Sequence, residues 1–297
     1  MFVSRDPFLL PPDLRGAALA LGNFDGIHPG HQAVISAAKA VGGKTILVTF
    51  EPHPRRLFRP DQPPFRLTPP GAKLRALQAQ GIDGVIALRF NRALAAMTAQ
   101  DFIDTILVRA LGAAHVVVGE DFCFGQGRGG SLATLRADGR FRVTGVPAIA
   151  TDGTIFSSTE IRNLLAAGEP EKAARLLGHP FTIEGHVRHG DKRGRTIGFP
   201  TANIGLGSYV RPKFGVYAVR VTGIGNGVAN LGRRPTFDGF DDRLEVHLFD
   251  FSGDLYGKRL QVQLTSFIRP EQKFDGIDAL KAQIILDAAE AKLRLGS

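Results

Sequence analysis

A chain of 297 residues with 43% hydrophobic and 22% charged residues has a globular composition and can bury a sizeable core. Its single cysteine, Cys123, excludes a disulfide within the chain and predicts a reducing compartment. The apolar stretches near the N-terminus are short and charged residues interrupt them, which argues against a signal peptide or a membrane span. We therefore expect a cytoplasmic protein with no membrane partner.

The charge balance indicates an anionic partner, since the formal net charge is +9 and the sequence pI is about 10.0. Nucleic acid is one candidate, but Lys and Arg are scattered, and three Tyr with no Trp offer little base stacking. A phosphate-rich small molecule accounts for the charge equally well. A basic surface of no particular meaning is the third interpretation.

From about residue 17 to residue 178, short apolar strands alternate with helical patterns. This alternation is typical of a parallel sheet covered on both faces, so we predict a doubly wound, Rossmann-like α/β domain. The predicted elements are, in chain order, a strand over Ala17–Leu21, a helix over His31–Val41, a strand over Thr45–Phe50, a helix over Lys73–Gln80, a strand over Val85–Phe90, a helix over Thr98–Leu111 and a strand over His115–Val118.

From about residue 181 the pattern changes to strict alternation, as in Leu244–Leu248 and Leu260–Leu264. Alternation with Gly- and Asp-rich turns predicts strands with one buried face in a small antiparallel β-barrel. Apolar residues at helical spacing from Ile277 to Leu295 predict a terminal helix with Asp275 as its N-cap.

The change of pattern places the domain boundary near Gly178–Pro180. We predict an N-terminal domain over residues 1–180 and a C-terminal domain over residues 181–297. The chain contains no internal repeat and no low-complexity segment.

The segment Gly22–His31 (Gly-Asn-Phe-Asp-Gly-Ile-His-Pro-Gly-His) joins the first predicted strand to the first helix. Ligands of open α/β sheets bind beyond the carboxyl ends of strands, where a helix N-terminus attracts phosphate. Glycines allow close approach of the backbone, and His28 and His31 can donate hydrogen bonds to a phosphoryl group in its transition state. A tight turn with two satisfied histidines is the alternative.

This segment is recognisable. His28–His31 resembles the His-x-Gly-His signature of the nucleotidyltransferase superfamily, and the whole decapeptide resembles the prokaryotic FAD synthetases. The resemblance implies that both histidines act on the ATP phosphates around the α-phosphoryl group. It also implies ATP or phosphate contacts from four more residues of the decapeptide: Gly22, Phe24, Asp25 and Gly30.

Two later segments match the same family. Gly119–Gly125 (Gly-Glu-Asp-Phe-Cys-Phe-Gly) resembles an element that lines the nucleotide site, which implies a role for Asp121. Glu51–Pro54 follows a predicted strand, and the family borders its flavin and nucleotide sites with this region.

A third match is Ser157–Arg162 (Ser-Ser-Thr-Glu-Ile-Arg), which resembles a motif whose hydroxyls, helix amides and arginine hold phosphates. The resemblance implies phosphate binding by Ser157, Ser158 and Thr159, with Arg162 in a catalytic role. Ser157 with Glu160 also forms an ordinary capping box, which is compatible with phosphate binding.

In the second half, Gly185–Asn203 is a basic segment punctuated by glycines. Exposed backbone N–H groups and cations suit a polyphosphate, and Thr201 and Asn203 offer oxygen atoms that could hold Mg²⁺. From composition alone, a solvated basic hairpin fits as well.

This segment closely resembles the riboflavin kinase signature, whose core is Gly-Phe-Pro-Thr-Ala-Asn at Gly198–Asn203. The resemblance implies that Thr201 and Asn203 meet Mg²⁺ and the ATP phosphates. It implies further nucleotide contacts from Gly185, Lys192, Gly198 and Pro200. Other matches follow in order at Gly215–Tyr217, Val228–Gly232, Arg234–Phe237, Leu244–Phe251, Asp254–Gly257 and Ile268–Phe274.

Glu245 occupies the position of the catalytic base in that family. Without the resemblance, Glu245 is an outward-facing residue on a half-buried strand, and the alternation fits that interpretation equally well.

The resemblance extends from about Leu19 to Ala291 and implies a bifunctional enzyme. The C-terminal domain would phosphorylate riboflavin to FMN, and the N-terminal domain would adenylylate FMN to FAD with release of pyrophosphate. ATP would be the co-substrate, Mg²⁺ or another divalent cation the cofactor, and flavins the substrates and products. The chemistry agrees with this division, because a ribityl hydroxyl needs a base whereas the phosphate of FMN needs only alignment and charge neutralisation.

Two alternatives remain at this point. The chain could be a monofunctional FMN adenylyltransferase whose C-terminal module only binds flavin, or it could be a nucleic-acid-binding protein. We expect no nucleic-acid partner, and a transient homo-oligomer is left open.

Overall fold

The computed structural model describes residues 1–151, 154–188, 199–236 and 239–296. The chain divides into two compact units. The first consists of Met1–Gln62 and Thr68–Ser157, and the second of Pro63–Leu67 and Ser158–Ser297.

The first unit alternates strands and helices. Its strands are β1 (Phe2–Ser4), β2 (Ala18–Leu21), β3 (Thr45–Glu51), β4 (Gly84–Arg89), β5 (His115–Gly119), β6 (Arg142–Val146), β7 (Ala150–Thr151) and β8 (Thr154–Ile155). Its helices are α1 (Pro29–Ala40), α2 (Pro54–Phe58), α3 (Pro70–Gln78), α4 (Arg92–Ala96), α5 (Ala99–Phe102), a π-helical continuation over Ile103–Ala110 and α6 (Leu132–Asp138), with short 3₁₀ turns at Pro7–Leu9, Pro12–Leu14 and Gln126–Arg128.

The main sheet of this unit has six parallel strands in the order β1-β4-β3-β2-β5-β6. The predicted doubly wound parallel sheet is confirmed. The edge strands β1 and β6 lie outside the predicted set, because they are short and only partly buried and so carry a weak apolar signal.

Successive residues of the central strands bury their side chains on opposite faces of the sheet. In β2, Leu19 and Leu21 join one hydrophobic cluster, whereas Ala18 and Ala20 join another that includes Ile35 of α1. Both faces of the sheet are therefore covered by other parts of the unit, which explains why the sequences of these strands are continuous apolar runs.

The helix predicted over Thr98–Leu111 forms in two parts. The Thr98 hydroxyl accepts a hydrogen bond from the Asp101 amide (3.1 Å) and caps α5. The following turns are π-helical, and the amide of Leu111 donates to the carbonyl of Ile106 (3.0 Å). The buried residues Ile103, Ile106, Leu107 and Ala110 keep the spacing of an ordinary α-helix, so the sequence pattern does not reveal the wider turns.

Within its described residues, the second unit contains a barrel and three helices. Its elements are α7 (Ser158–Ala167), α8 (Pro170–Leu177), β9 (Phe181–Arg188), β10 (Ala202–Gly205), β11 (Gly215–Val221), β12 (Gly225–Thr236), β13 (Gly239–Leu248), β14 (Arg259–Arg269) and α9 (Ile277–Leu295). The strands close in the order β10-β13-β12-β11-β14-β9, and every pair is antiparallel.

The predicted antiparallel barrel with a terminal helix is confirmed. The alternation in Leu244–Leu248 and Leu260–Leu264 corresponds to buried Leu and Val residues separated by more exposed polar ones. The prediction of Asp275 as the N-cap of the terminal helix is wrong: α9 begins at Ile277 and its N-cap is Gly276, at a φ of 125° that favours glycine.

The two units do not divide the chain where the sequence pattern changes. Helices α7 and α8 precede residue 181 but belong to the second unit, where α8 packs against β9 and β14 through a face that includes Ala173 and Leu177. The functional division into residues 1–180 and 181–297 stays a prediction. Within the described residues, no helix combines the length and the apolar character needed to cross a membrane.

A buried ion pair attaches α9 to the barrel. The carboxylate of Asp287, 5% exposed, accepts two hydrogen bonds from the Arg269 guanidinium on β14 (2.8 and 2.7 Å). The amide of Gln283 donates a third (3.0 Å). Bidentate geometry at a buried carboxylate makes this pair a specific attachment point for the helix.

We expect Asp287→Ala to destabilise the second unit by about 3 kcal/mol, because it leaves the Arg269 guanidinium partly buried without its counter-ion. Glu290→Ala on the same helix breaks the more exposed Glu290–Arg294 pair and should cost about 0.5 kcal/mol or less. Urea unfolding followed by tyrosine fluorescence isolates this unit, since it holds all three tyrosines and the chain has no Trp. Equal losses of stability in the two variants would contradict the role of the Asp287–Arg269 pair as the attachment point of α9.

Candidate active sites

The first candidate site lies at the point where the strand order of the parallel sheet reverses. The chain passes from β2 to β3 and β4 on one side, then to β5 and β6 on the other, so β2 and β5 are neighbours. Gly22–His31 follows β2 and Gly119–Gly125 includes and follows the end of β5. The structure thus brings these two predicted segments to the position where open α/β sheets bind their ligands.

The two histidines of the first segment stack face to face. His28 is the N-cap of α1 and is 6% exposed, and its ring centroid lies 3.7 Å from that of His31 at an interplanar angle of 22°. The ring of Phe24 packs against that of His31 at an interplanar angle of 54°, with centroids 5.4 Å apart. A Cβ at Gly30 would lie 3.2 Å from the His28 ring, so the glycine makes room for this imidazole.

The backbone of the same segment is strained. Phe24 and Ile27 are buried non-glycine residues with φ angles of 49° and 46°, in the left-handed region that costs an L-residue about 1–2 kcal/mol. Strain of this kind persists only where surrounding contacts hold it, and it is concentrated at functional sites.

Asp25 supplies one of those contacts. Its carboxylate is 1% exposed and accepts a hydrogen bond from the Thr68 amide (2.9 Å), while the Thr68 hydroxyl accepts one from the Gly26 amide (3.1 Å). These contacts tie the segment to the turn before α3. The predicted phosphate contact of Asp25 stays a prediction.

A second contact comes from Lys73 on α3, a residue that the sequence analysis did not single out. Its ammonium group is 1% exposed and lies 2.7 Å from the carboxylate of Glu51. It also donates hydrogen bonds to the Thr49 hydroxyl (3.1 Å) and to the backbone carbonyl of Asn23 (3.2 Å). A lysine in a helical pattern resembles a solvated one, so only the fold reveals its burial.

The Gly119–Gly125 segment begins and ends with a glycine. A Cβ at Gly119 would lie 2.9 Å from a carboxylate oxygen of Asp121, so the glycine lets this exposed side chain fold back. Gly125 has a φ of +72°, and a Cβ there would lie 2.7 Å from the Ala99 amide nitrogen. The exposed Asp121 side chain can move away at little cost, whereas the Ala99 backbone cannot, so the steric requirement for glycine is firm at Gly125.

An exposed aromatic residue also stands near the carboxyl ends of β3 and β4. Phe58 on α2 is 67% exposed and packs edge-on against Phe90, with centroids 6.0 Å apart, and Phe90 packs edge-on against Phe50. The sequence analysis missed Phe58. The one sequence signal for Phe58 is that it is an aromatic residue within an Arg- and Pro-rich stretch.

The Ser157–Arg162 motif begins α7, whose first residue is Ser158. The Arg162 guanidinium donates to the carbonyls of Phe65 (2.7 Å) and Ser158 (3.0 Å), and its central carbon lies 5.6 Å from the centre of the Phe65 ring. Ser158, Thr159 and Arg162 belong to the second unit, whereas His28 and His31 belong to the first. The grouping of these residues in one site stays a prediction.

The second candidate site is a row of polar side chains across three barrel strands. Glu245 on β13 is directly opposite Asn203 on β10 and Asn230 on β12. Directly opposite residues point to the same face of a sheet, away from the face that buries Leu244 and Val246. Asn230 lies in the Val228–Gly232 match, but it is not among the predicted site residues, because the register between strands is not visible in the sequence.

The residues before β10 are attached to this row. His247 donates from Nδ1 to the carbonyl of Pro200 (3.0 Å), and its ring packs edge-on against Phe199. The side-chain nitrogen Nδ2 of Asn203 donates to the backbone carbonyl of Thr201 (3.4 Å), and Asn203 is 9% exposed. The two predicted cation ligands therefore contact each other, and one of them, Asn203, lies directly opposite Glu245.

Other predicted residues of this site divide into two groups. A Cβ at Gly185 would lie 2.6 Å from a methyl group of Ile204, so close packing of β9 on β10 by itself requires a glycine there. Lys192 and Gly198 lie outside the described residues. No cluster of three or more His, Cys, Asp or Glu residues that could hold a metal ion occurs in the described part of the chain.

The Gly119–Gly125 segment allows a direct stability test. Gly125→Ala should destabilise the first unit by at least about 3 kcal/mol, because it adds a collision with Ala99 to left-handed strain. Gly127→Ala is the matched control, since Gly127 has a φ of +60° and open space around its Cβ position, and should cost only about 1 kcal/mol. Thermal unfolding by far-ultraviolet circular dichroism measures both, and equal losses would refute the steric argument.

Comparison with known proteins matches two family models in succession. Residues 10–160 match the FAD synthetase family and residues 177–295 match the riboflavin kinase family.

Full-length relatives agree with this order. The chain is 46% identical over 288 residues to the bifunctional riboflavin kinase/FMN adenylyltransferase of Escherichia coli K12, covering 93% of this chain and 92% of the relative. It is 43% identical to the protein of the same name from Pseudomonas fluorescens, covering 95% and 94%. A solved structure titled as a macrolide-efflux protein from Streptococcus pneumoniae shares the fold, with a TM-score of 0.85, 33% identity and 96% coverage of both chains.

Proposed function

The chain belongs to the bifunctional riboflavin kinase/FMN adenylyltransferase family, and from this premise we propose how its residues divide the two reactions. It phosphorylates riboflavin to FMN and adenylylates FMN to FAD, with ATP as the co-substrate of both steps. The succession of an FAD synthetase match and a riboflavin kinase match along one chain carries this conclusion.

We assign adenylylation to the site at the ends of β2 and β5. A phosphate oxygen of FMN attacks the α-phosphorus of ATP, the new P–O bond forms, and the bond to pyrophosphate breaks. His28 and His31 donate hydrogen bonds to the α-phosphoryl oxygens as their charge rises, and the N-terminus of α1 adds its partial positive charge. The stacked pair at this N-terminus and the strained backbone that presents it support the assignment.

We place the flavin ring system of FMN near Phe58 in the same unit. An exposed phenylalanine held edge-on by Phe90 offers a flat apolar surface, and aromatic rings favour stacking on such surfaces. The neighbouring Arg55, Arg56 and Arg59 would add positive charge for the phosphate of FMN.

We assign riboflavin phosphorylation to the polar row on the barrel. Glu245 accepts the proton of the ribityl hydroxyl. The hydroxyl oxygen of riboflavin then forms a bond to the γ-phosphorus of ATP while the bond from that phosphorus to ADP breaks. Asn203 and Asn230, on either side, offer amide groups that orient the substrates around this carboxylate.

Thr201 and Asn203 suit Mg²⁺ or another divalent cation by the chemistry of their donors. Both supply hard oxygen atoms, and the bond from Asn203 Nδ2 to the Thr201 carbonyl directs Oδ1 of Asn203 elsewhere. A bound cation would neutralise the ATP phosphates during transfer. Two ATP sites and phosphorylated flavins account for the net charge of +9 without a nucleic-acid partner.

Incubation of the purified protein with riboflavin, ATP and Mg²⁺, followed by chromatography of the flavins, tests the whole proposal. FMN should appear first and FAD later. Formation of FMN without FAD would refute the assignment of FMN adenylylation to His28 and His31. Formation of FAD only from supplied FMN would favour the monofunctional adenylyltransferase instead.

Glu245→Gln should lower FMN formation by about 100-fold or more, since it removes the base and preserves the shape of the side chain. Conversion of supplied FMN to FAD should continue at the wild-type rate. Wild-type phosphorylation of riboflavin by this variant would exclude Glu245 as the base.

The double variant His28→Ala with His31→Ala should show the opposite pattern. Conversion of FMN to FAD should fall by about 1,000-fold or more, because two donors to the transition state are lost. FMN formation from riboflavin should be unchanged. If a folded double variant loses both activities, the assignment of separate sites is wrong.

A further inference from the structure

We propose that Lys73 is a positioning residue for adenylylation: through the carbonyl of Asn23, it holds the Gly22–His31 segment in the conformation that binds ATP. The inference rests on the proposed role of that segment. It concerns a side chain that does not itself contact the substrates.

The ammonium group of Lys73 contacts three polar groups near the carboxyl end of the sheet. They are the carboxylate of Glu51 at 2.7 Å, the hydroxyl of Thr49 at 3.1 Å and the carbonyl of Asn23 at 3.2 Å. Two of these contacts are hydrogen bonds, to Thr49 and Asn23, and the third is the ion pair with Glu51. The group therefore connects α3, the end of β3 and the segment that follows β2.

Burial of this pair makes an explanation from stability alone weak. Lys73 is 1% exposed and Glu51 8%, and removing two charges from water costs several kcal/mol per ion before their attraction offsets it. Well-packed apolar residues of similar size often stabilise a fold equally well. A buried ion pair is thus better suited to selecting one backbone conformation than to adding stability.

The conformation that it selects lies at the start of the candidate phosphate site. The carbonyl of Asn23 accepts from both Lys73 and the Thr49 hydroxyl (3.2 Å), so two donors determine its direction. Because a trans peptide is planar, this direction also determines that of the Phe24 N–H, which points the opposite way. Phe24 is the first strained residue of the segment, and its ring supports His31.

The chain of contacts therefore runs from Lys73 to the Asn23 carbonyl, to the strained Phe24 and to the His28–His31 pair. Without Lys73, the Asn23–Phe24 peptide keeps one of its two donors and can relax towards an unstrained conformation. Relaxation would move the imidazoles, and misplacement of catalytic groups by about 1 Å can cost about 100-fold in rate.

Lys73→Met tests the inference, because methionine fills a similar volume without the charge and its hydrogen bonds. We expect kcat for FMN adenylylation to fall by about tenfold or more, with a smaller change in KM for FMN. Riboflavin phosphorylation by the same protein sample should be unchanged, since its proposed residues lie in the other unit. Lys73→Arg, which keeps the charge and its donors, should recover part of the lost kcat.

The matched control is Lys44→Met at the opposite end of β3. Lys44 forms an exposed ion pair with Asp83 (3.0 Å), with the two side chains 53% and 29% exposed. This variant should keep wild-type kcat for both reactions.

Thr49→Val provides a second test if Lys73→Met does not fold. Valine matches threonine in shape and leaves the Lys73–Glu51 pair in place, but it removes the hydroxyl that donates to the Asn23 carbonyl and accepts from Lys73. A reduced kcat for adenylylation in folded Thr49→Val supports the inference. Wild-type kcat in Thr49→Val, or in folded Lys73→Met, overturns it.

The kinetic split separates positioning from a merely structural role. A structural role would lower the folded fraction measured by circular dichroism, and kcat per folded molecule would stay at the wild-type value, which contradicts the inference. The double histidine variant tests the site independently. If it loses adenylylation while folded Lys73→Met does not, the proposed site stands and this inference fails.

Discussion

The parallel sheet of the first unit buries both of its faces, and the rest of this unit is arranged around that constraint. Every residue of β2 and every residue of β3 is buried. Side chains on such strands must be apolar or fully partnered, so the faces of the sheet offer no place for a phosphate. Polar chemistry is confined to the loops at the carboxyl ends, and the reversal of strand order brings two of those loops together.

Three residues of β3 are polar, and two of them, Thr49 and Glu51, lie near its carboxyl end. Both are buried polar residues close to the carboxyl end of the strand, and both contact the ammonium group of Lys73. This small polar network begins where the apolar run ends and continues into the backbone of the Gly22–His31 segment. It joins the core of the unit to the residues that we assign to chemistry.

The barrel of the second unit leaves one face of its sheet available for polar side chains. Its strands alternate, so one face holds Leu244 and Val246 while the other is left for polar residues. Antiparallel pairing then aligns Asn203, Glu245 and Asn230 in one row across three strands. The proposed base and its neighbouring amides are thus positioned by strand register rather than by a loop, which gives them a rigid support.

The sequence by itself determined the two architectures, the central strands and the motif residues, because hydrophobic period and local motifs are properties of neighbouring residues. It also indicated the family, since the motifs of both halves occur in order. Only the tertiary structure decided which residues support the site. Burial of Lys73, the stacking of His28 on His31 and the cross-strand position of Asn230 depend on contacts between residues distant in the chain or on backbone geometry that periodicity does not encode. For the same reason, Gly185 has a packing role beside its predicted one, and the N-cap of α9 falls on Gly276: steric space and a positive φ exist only in the folded chain.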